Sequence, residues 1–339
     1  MVSGADDPGI IDEIVDKLTV AVQQRFGKNA SIENISIATL GASNRTLLFD
    51  LLEGPTRRRL VLRQETVKSE FSPFISTADQ YRILKVVYSH DLPIPEPIFE
   101  LEARDDLDNG FVVACVEGET LPKTLLSDPT LATARKRFAA QSGEILARLH
   151  AIDPAEVAFL EATSDSIDPL AAQVARYEGY GNCFPGLEVG IRWLENNRPA
   201  ISQRKFIHGE YRNGNVILGP DGIRAVLDWE CAHIGSAMEE FGWLCMRSWR
   251  YGEIDKPVGG FGPRLELYRA YEANGGELVD EDAVRWWEIF ATFRWAVINM
   301  MQIDGHMSGV RRSLPFACCG RNIAMVEYDM LMAIQGKYK

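Results

Sequence analysis

The sequence predicts an α+β protein, strand-rich through its first third and mainly helical beyond it, with the change falling at residues 117 and 118. Three observations carry this. Strand-favouring runs at Ile35–Leu40, Arg45–Leu52 and Leu60–Arg63 are separated by Gly41-Ala42-Ser43-Asn44 and Gly54-Pro55, and a buried-type run follows at Gly110–Val116. Apolar residues beyond Gly118 recur at helical spacing. Between Asn215 and Asp228 the chain reads strand, tight turn, strand, with Pro220-Asp221-Gly222 as the turn. A chain of 339 residues can bury a large core, as two domains or one two-lobed unit, divided here as 1–117 and 118–339.

Element by element, Ile11, Ile14, Val15, Leu18 and Val22 mark an amphipathic helix over residues 10–26, and Gly27 stands where its cap belongs. The three strands from Ser31 to Arg63 come next. A helix spans Ala78–Val87, and Pro93-Ile94-Pro95-Glu96-Pro97 is extended, because each proline fixes its own φ and restrains its predecessor. Phe138, Ile145, Leu146 and Leu149 share one helix face ending at His150, which reads as a satisfied buried histidine. Trp287, Ile289, Phe290, Phe293, Ala296, Val297 and Met300 describe a long buried helix in the aromatic C-terminal third. The glycine-rich segment Tyr251–Pro263 is expected to be a flexible loop covering an acceptor site.

Composition narrows the function. The formal net charge of −12 argues against a nucleic-acid partner, since phosphate backbones are held by clustered Lys and Arg. The N-terminal residues show no signal-peptide pattern, and no run of about 18 apolar residues exists to span a membrane. The six cysteines have no CxxC spacing, so free thiols in a cytoplasmic protein are expected.

The chemistry concentrates in Phe206–Glu230, FIHGEYRNGNVILGPDGIRAVLDWE. A hairpin between Asn215 and Asp228 sets these two side by side at its open end, with Glu210 five residues before the first. A carboxylate placed there can take a proton from an acceptor hydroxyl, while an amide oxygen and a second carboxylate hold Mg2+ against phosphates. A surface hairpin with ordinary polar ends is the alternative for any one of these residues, and the joint pattern favours the site.

HGEYRNGNVIL followed by VLDWE resembles the aminoglycoside phosphotransferase and choline kinase superfamily, in particular its branch of kinase domains associated with acyl-CoA dehydrogenases. The resemblance extends over most of the chain. It implies a two-lobed protein-kinase-like fold, a small lobe with an antiparallel sheet and a large, mainly helical lobe, using ATP and Mg2+. It implies Glu210 as the catalytic base and Asn215 and Asp228 as metal ligands. LGASNRT is similar to the branch's phosphate loop GxSNxT, which makes Gly41, Ser43 and Asn44 nucleotide-binding candidates. LVLR resembles VLRxP, with Arg63 as the phosphate-binding cation, and the strand containing Val113 and Cys115 leads into the adenine-binding connection. Three positions depart from the general kinase pattern: Glu210 replaces Asp, Arg63 replaces Lys, and the helix acid that would pair with the cation is Gln80, with Asp79 adjacent. Either of the last two is a candidate partner for Arg63. The expected function is an ATP-dependent kinase for a hydroxyl on a small, non-cationic molecule. A nucleotide-binding regulator with little catalytic activity is the alternative.

Overall fold

A computed structural model describes residues 8–37, 44–65, 74–200, 203–310 and 312–338. Helix α1 (Pro8–Phe26) is closed by Gly27 at φ 101° and is followed by strands β1 (Ser31–Ile37), β2 (Asn44–Glu53) and β3 (Thr56–Glu65). Helix α2 (Thr77–Ser89), β4 (Pro97–Glu100) and β5 (Gly110–Ala114) complete the N-terminal part. The strands form an antiparallel five-stranded sheet in the order β1-β2-β3-β5-β4.

Side-chain alternation along these strands decides what faces the cleft. Leu47, Phe49 and Leu51 of β2, Leu60 and Leu62 of β3 and Val112 of β5 pack with Ile14, Leu18 and Val22 of α1. The opposite face carries Val61, Phe111 and Val113 against Tyr81, Ile83 and Leu84 of α2. Arg63 is in step with Val61, and its cross-strand neighbours are Thr46 and Phe111, so it projects from an interior strand on the α2 side. An edge position facing water is thereby excluded.

The helical remainder runs α3 (Pro122–Ser127), α4 (Ala132–His150), α5 (Ser164–Ile167), α6 (Pro169–Gly179) and α7 (Pro185–Asn196). Four short strands follow, β6 (Lys205–Ile207), β7 (Val216–Gly219), β8 (Gly222–Val226) and β9 (His233–Gly235). The chain ends with α8 (Ala237–Cys245), α9 (Arg264–Ala273), α10 (Glu281–Met307) and α11 (Leu314–Ile334). Helix α10 is the axis of this part: it packs on α7, α8 and α11 and buries Trp286, Trp287, Phe290, Phe293 and Val297. His150 is buried, with Nδ1 bonded to the Tyr271 hydroxyl at 2.9 Å, and burial lowers its pKa to about 3. A neutral structural histidine is what the sequence led us to expect there.

The segment Tyr251–Pro263 is anchored where composition suggested flexibility. Val258 is fully buried, Phe261 stacks on Phe138 of α4 with ring centroids 4.1 Å apart, and the Val258 N–H donates to the Gly262 carbonyl. Residues 251–256 and the terminal Pro263 are exposed, and 257–262 are buried. Glycines gave the segment its flexible signature, but two apolar residues between them seat it in the core. Among the described residues, no helix is long and apolar enough to cross a membrane.

Candidate active site

Strand β6 pairs antiparallel with β9, and the β7/β8 hairpin stands beside them. Residues 208–215 connect β6 to β7. This loop is fixed from several directions. Gly209 has φ 76°, and a Cβ there would lie 2.2 Å from the Cys231 carbonyl oxygen, so only glycine fits. The Gly209 carbonyl accepts from Arg294 Nη1 of α10 at 2.7 Å. Glu240 of α8 accepts from the backbone N–H groups of His208 and Gly209.

His208 is a brace. Its Nε2 donates to the Leu227 carbonyl at 2.8 Å, while Nδ1 accepts the Glu210 N–H at 3.1 Å, which defines the neutral Nε2–H form. Burial lowers its pKa to about 4, in keeping with that form. His208 thereby ties the base of the loop to the strand that delivers Asp228.

The hairpin does what its sequence foretold. Val216 pairs with Val226, and the Leu227 N–H donates to the Asn215 carbonyl at 2.8 Å, setting Asn215 beside the approach to Asp228. Asn215 Nδ2 donates to the Glu210 carbonyl at 3.0 Å, which orients the amide and reserves Oδ1 as an acceptor. Asp228 occupies the left-handed region at φ 68° and ψ 61°, a conformation that Asp tolerates better than most residues. Its backbone swings the chain into the short turn Trp229–Cys231, which brings Glu230 back toward the same point.

Carboxylate oxygens of Glu210, Asp228 and Glu230 all lie within 4.8 Å of one another. Three carboxylates so close need cations. Arg63 Nη2 sits 2.8 Å from Asp228 Oδ1 and 3.7 Å from Glu230 Oε2, and Arg212 Nε lies 3.4 Å from Glu210 Oε1. Burial pushes the Asp228 carboxyl up, but the charge and hydrogen bond of Arg63 outweigh it and hold the group below its usual range. Glu210 moves the other way: burial raises its pKa, Asp228 adds to the rise, and Arg212 and Arg294 only partly oppose it. The two carboxyls are therefore pushed in opposite directions, Asp228 toward the ionised form and Glu210 toward the protonated one. Oxygen donors of this kind, with the Asn215 amide oxygen, suit a hard divalent cation such as Mg2+.

The remaining sequence candidates fall as follows. Asn44 opens β2 on the same sheet face as Arg63, buried, with Nδ2 3.2 Å from Glu230 Oε2. Gly41 and Ser43 lie outside the described residues. Val113 is inside the sheet, between β3 and β4, and the Cys115 N–H donates to the Arg59 carbonyl at 2.9 Å. Val116 is the first residue beyond these bonds. Neither α2 candidate reaches Arg63: Gln80 Nε2 donates to the Ile75 carbonyl at 3.1 Å, and Asp79 accepts from Ser76 and Arg82.

Sequence reasoning passed over Asn213, Arg212, Glu240 and Arg294. Asn213 is fully buried, and its Nδ2 donates to the carbonyls of Trp249 and Gly259 at 2.9 and 2.8 Å, clamping the loop to segment 251–263. The Arg212 guanidinium stacks over Trp249 at 4.5 Å, and Trp249 in turn meets Trp295 at 4.8 Å. Arg212 was readable from its place two residues beyond Glu210. The others act across 31 to 85 residues of chain, which no local pattern encodes.

Glu240 gives a test of this scaffolding. Burial raises its pKa from 4.5 to about 7, against the two backbone N–H bonds that stabilise the ionised form. With the folded value above the unfolded one, stability falls as pH rises between those two values and is level above the upper one, a loss of about 3 kcal/mol. Glu240→Gln, which keeps an acceptor for both N–H groups, is expected to flatten this slope in thermal unfolding followed across that window. Parallel curves for the two proteins would contradict the assignment.

Comparison with known proteins places this geometry. The model of a family described as "Phosphotransferase enzyme family" matches residues 34–286. Acyl-CoA dehydrogenase family member 10 of Mus musculus is 26% identical over 283 residues, covering 76% of this chain and 25% of that protein. The chain thus spans about a quarter of the length of that curated relative. A solved structure from Ralstonia eutropha, described as "a putative aminoglycoside phosphotransferase", superposes with a TM-score of 0.68 at 19% identity over 95% of this chain and 98% of its own. Spectinomycin phosphotransferase, solved with ADP and spectinomycin, gives a TM-score of 0.61 at 10% identity over 94% and 98% of the two chains. The fold is the two-lobed protein-kinase-like one, with an antiparallel sheet on one side and a mainly helical remainder.

Proposed function

The chain belongs to the phosphotransferase enzyme family, and from that premise we propose that it is an ATP-dependent kinase acting on a hydroxyl group of a small, non-cationic molecule. The observation that carries the reading is the meeting of Glu210, Asp228 and Glu230 within 4.8 Å, opposite an arginine that projects from the sheet. In this reading the nucleotide lies between residues 1–117 and 118–339. The loop through Gly41, Ser43 and Asn44 and the Arg63 guanidinium take the phosphates, and the chain leaving Val113 and Cys115 takes the base.

Glu210 is the base. Its raised pKa makes it a stronger proton acceptor than a free carboxylate, and the hydrogen bonds of His208 and Asn215 to its backbone fix where the carboxylate stands. Asn215 and Asp228 would hold Mg2+, which supplies neutralisation of phosphate charge when bound. Positioning carries most of such a reaction, and the bracing of the 208–215 loop by α8 and α10 serves that need.

Acceptor character follows from what adjoins Glu210. Arg212, packed on the buried Trp249, puts a positive charge beside the base. A polycationic aminoglycoside would meet repulsion from Arg212, whereas a hydroxyacyl-type acceptor, as the acyl-CoA dehydrogenase relative suggests, would not. Acceptor-dependent ATP consumption, measured across hydroxyacyl thioesters, phenolic alcohols and aminoglycosides, tests this. Turnover with the first class is expected; turnover with aminoglycosides alone would reverse the acceptor assignment.

Arg63→Ala is expected to weaken ATP binding about tenfold or more while sparing adenosine, because the proposed contact is to phosphate. Lys at position 63 should restore part of the affinity, since it keeps the charge and loses the fork. Equal losses for ATP and adenosine in calorimetric titrations would place Arg63 elsewhere.

A further inference from the structure

We infer that Glu230 is the positioning residue for Arg63, taking from the end of the hairpin the part that an acid on α2 would otherwise play. The inference rests on the reading of Arg63 as the phosphate-binding cation. A guanidinium that must meet a triphosphate needs an anion to hold it in register, and α2 supplies none. Gln80 is 1% exposed and turned toward the Ile75 carbonyl, while Asp79 is engaged by Ser76 and Arg82.

Among the described residues, two carboxylates reach Arg63, Asp228 at 2.8 Å and Glu230 at 3.7 Å. Their situations differ. Asp228 is the nearer and is also the proposed metal ligand, so its charge is shared when both ligands are present. Glu230 is 4% exposed, its Oε2 accepts from Asn44 Nδ2 at 3.2 Å, and its backbone carbonyl accepts the Ile75 N–H at 2.9 Å. The first of these bonds ties it to the start of β2 on the sheet face from which Arg63 projects, and the second to the entry of α2. Glu230 is thereby fixed to both elements that frame Arg63, through contacts that Asp228 does not share. Asn44 acts through it: by holding Oε2, the amide sets where the carboxylate stands. A sequence pattern that looks for the pairing acid on the helix overlooks this one, because it lies 167 residues further along the chain and is brought back by the left-handed turn at Asp228.

The test is a binding cycle on wild type, Arg63→Ala, Glu230→Gln and the double variant, with ATP and adenosine as ligands, each in EDTA and in Mg2+. Glu230→Gln is expected to weaken ATP about tenfold in both conditions and to leave adenosine unchanged, as loss of a charged partner without loss of fold should. In the Arg63→Ala background the same change should add nothing, since the residue it positions is gone. Glu230→Asp, which keeps the charge on a shorter arm, should fall between. Glu230→Gln combined with Gln80→Glu should show no rescue, because position 80 faces Ile75. Additive losses in the cycle, a loss confined to Mg2+, an equal loss of adenosine, or rescue by Gln80→Glu would each overturn the inference and leave the kinase reading standing. Wild-type protein that binds adenosine but not ATP would remove both together.

Discussion

Asp228→Asn is expected to abolish Mg2+-dependent nucleotide turnover while the protein keeps its cooperative unfolding transition. The carboxylate lies at the cleft, 28% exposed at its side chain, and its partners are Arg63 and the neighbouring charges, so the fold does not depend on it for packing. Asparagine is the informative replacement. At φ 68° an alanine would add about 1–2 kcal/mol of backbone strain, and a drop in stability would then be confused with loss of the ligand. Asn tolerates that region and keeps the side-chain shape. Arg63 would remain within reach of Glu230, so its charge is not left buried without an anion. Turnover is followed by nucleotide consumption and stability by calorimetry. Loss of both together would make Asp228 a structural residue and withdraw it from the metal site.

The line from His208 to Asp228 was legible because it is local: a loop, a hairpin and a turn within one stretch, whose glycines and strand pairs fix one another. Arg63 came from the resemblance of LVLR to VLRxP, and the pairing of its strand shows which face it projects from. What could not be read was who meets Arg63 there. The helix pattern offered Gln80 and Asp79, and both are spent near α2's own first turn, Asp79 on Ser76 and Arg82 and Gln80 on the Ile75 carbonyl. Segment 251–263 misled for a related reason. Its glycines describe how the backbone turns, while Val258 and Phe261 determine where it lies. Strands β4, β6 and β9 span three or four residues and give too short a period to detect.

Glu210 carries the second large effect. Removing its charge in Glu210→Gln should lower kcat by about 10² to 10⁴ with ATP affinity nearly unchanged, the range for loss of a positioned general base. The structure sharpens what Asp should do. His208 Nδ1 and Asn215 Nδ2 fix the backbone of residue 210, so a shorter side chain has no compensating movement available and its carboxylate retreats from Arg212 and from the Asp228 oxygens. Glu210→Asp is therefore expected to be impaired as well, since a displacement of about 1 Å at a reacting group costs on the order of a hundredfold. A regulator with a decayed site predicts the opposite sign: activity rises with Asp and is indifferent to Gln. The pH profile adds an independent readout. Because burial raises the Glu210 pKa above 4.5, the acid limb of kcat/KM should fall above the usual carboxylate range, with activity lost as pH drops through it. In Glu210→Gln that limb should disappear.

The most direct measurement of the central claim is the fate of the γ-phosphoryl group. Phosphorus NMR of Mg2+-ATP incubated with the protein and a hydroxyl acceptor distinguishes a new phosphate monoester from inorganic phosphate. Wild type should convert ATP to ADP and the monoester in equal amounts, and Glu210→Gln should slow the formation of both. Release of inorganic phosphate alone with every acceptor, at a rate that Glu210→Gln does not change, would contradict phosphoryl transfer at this site.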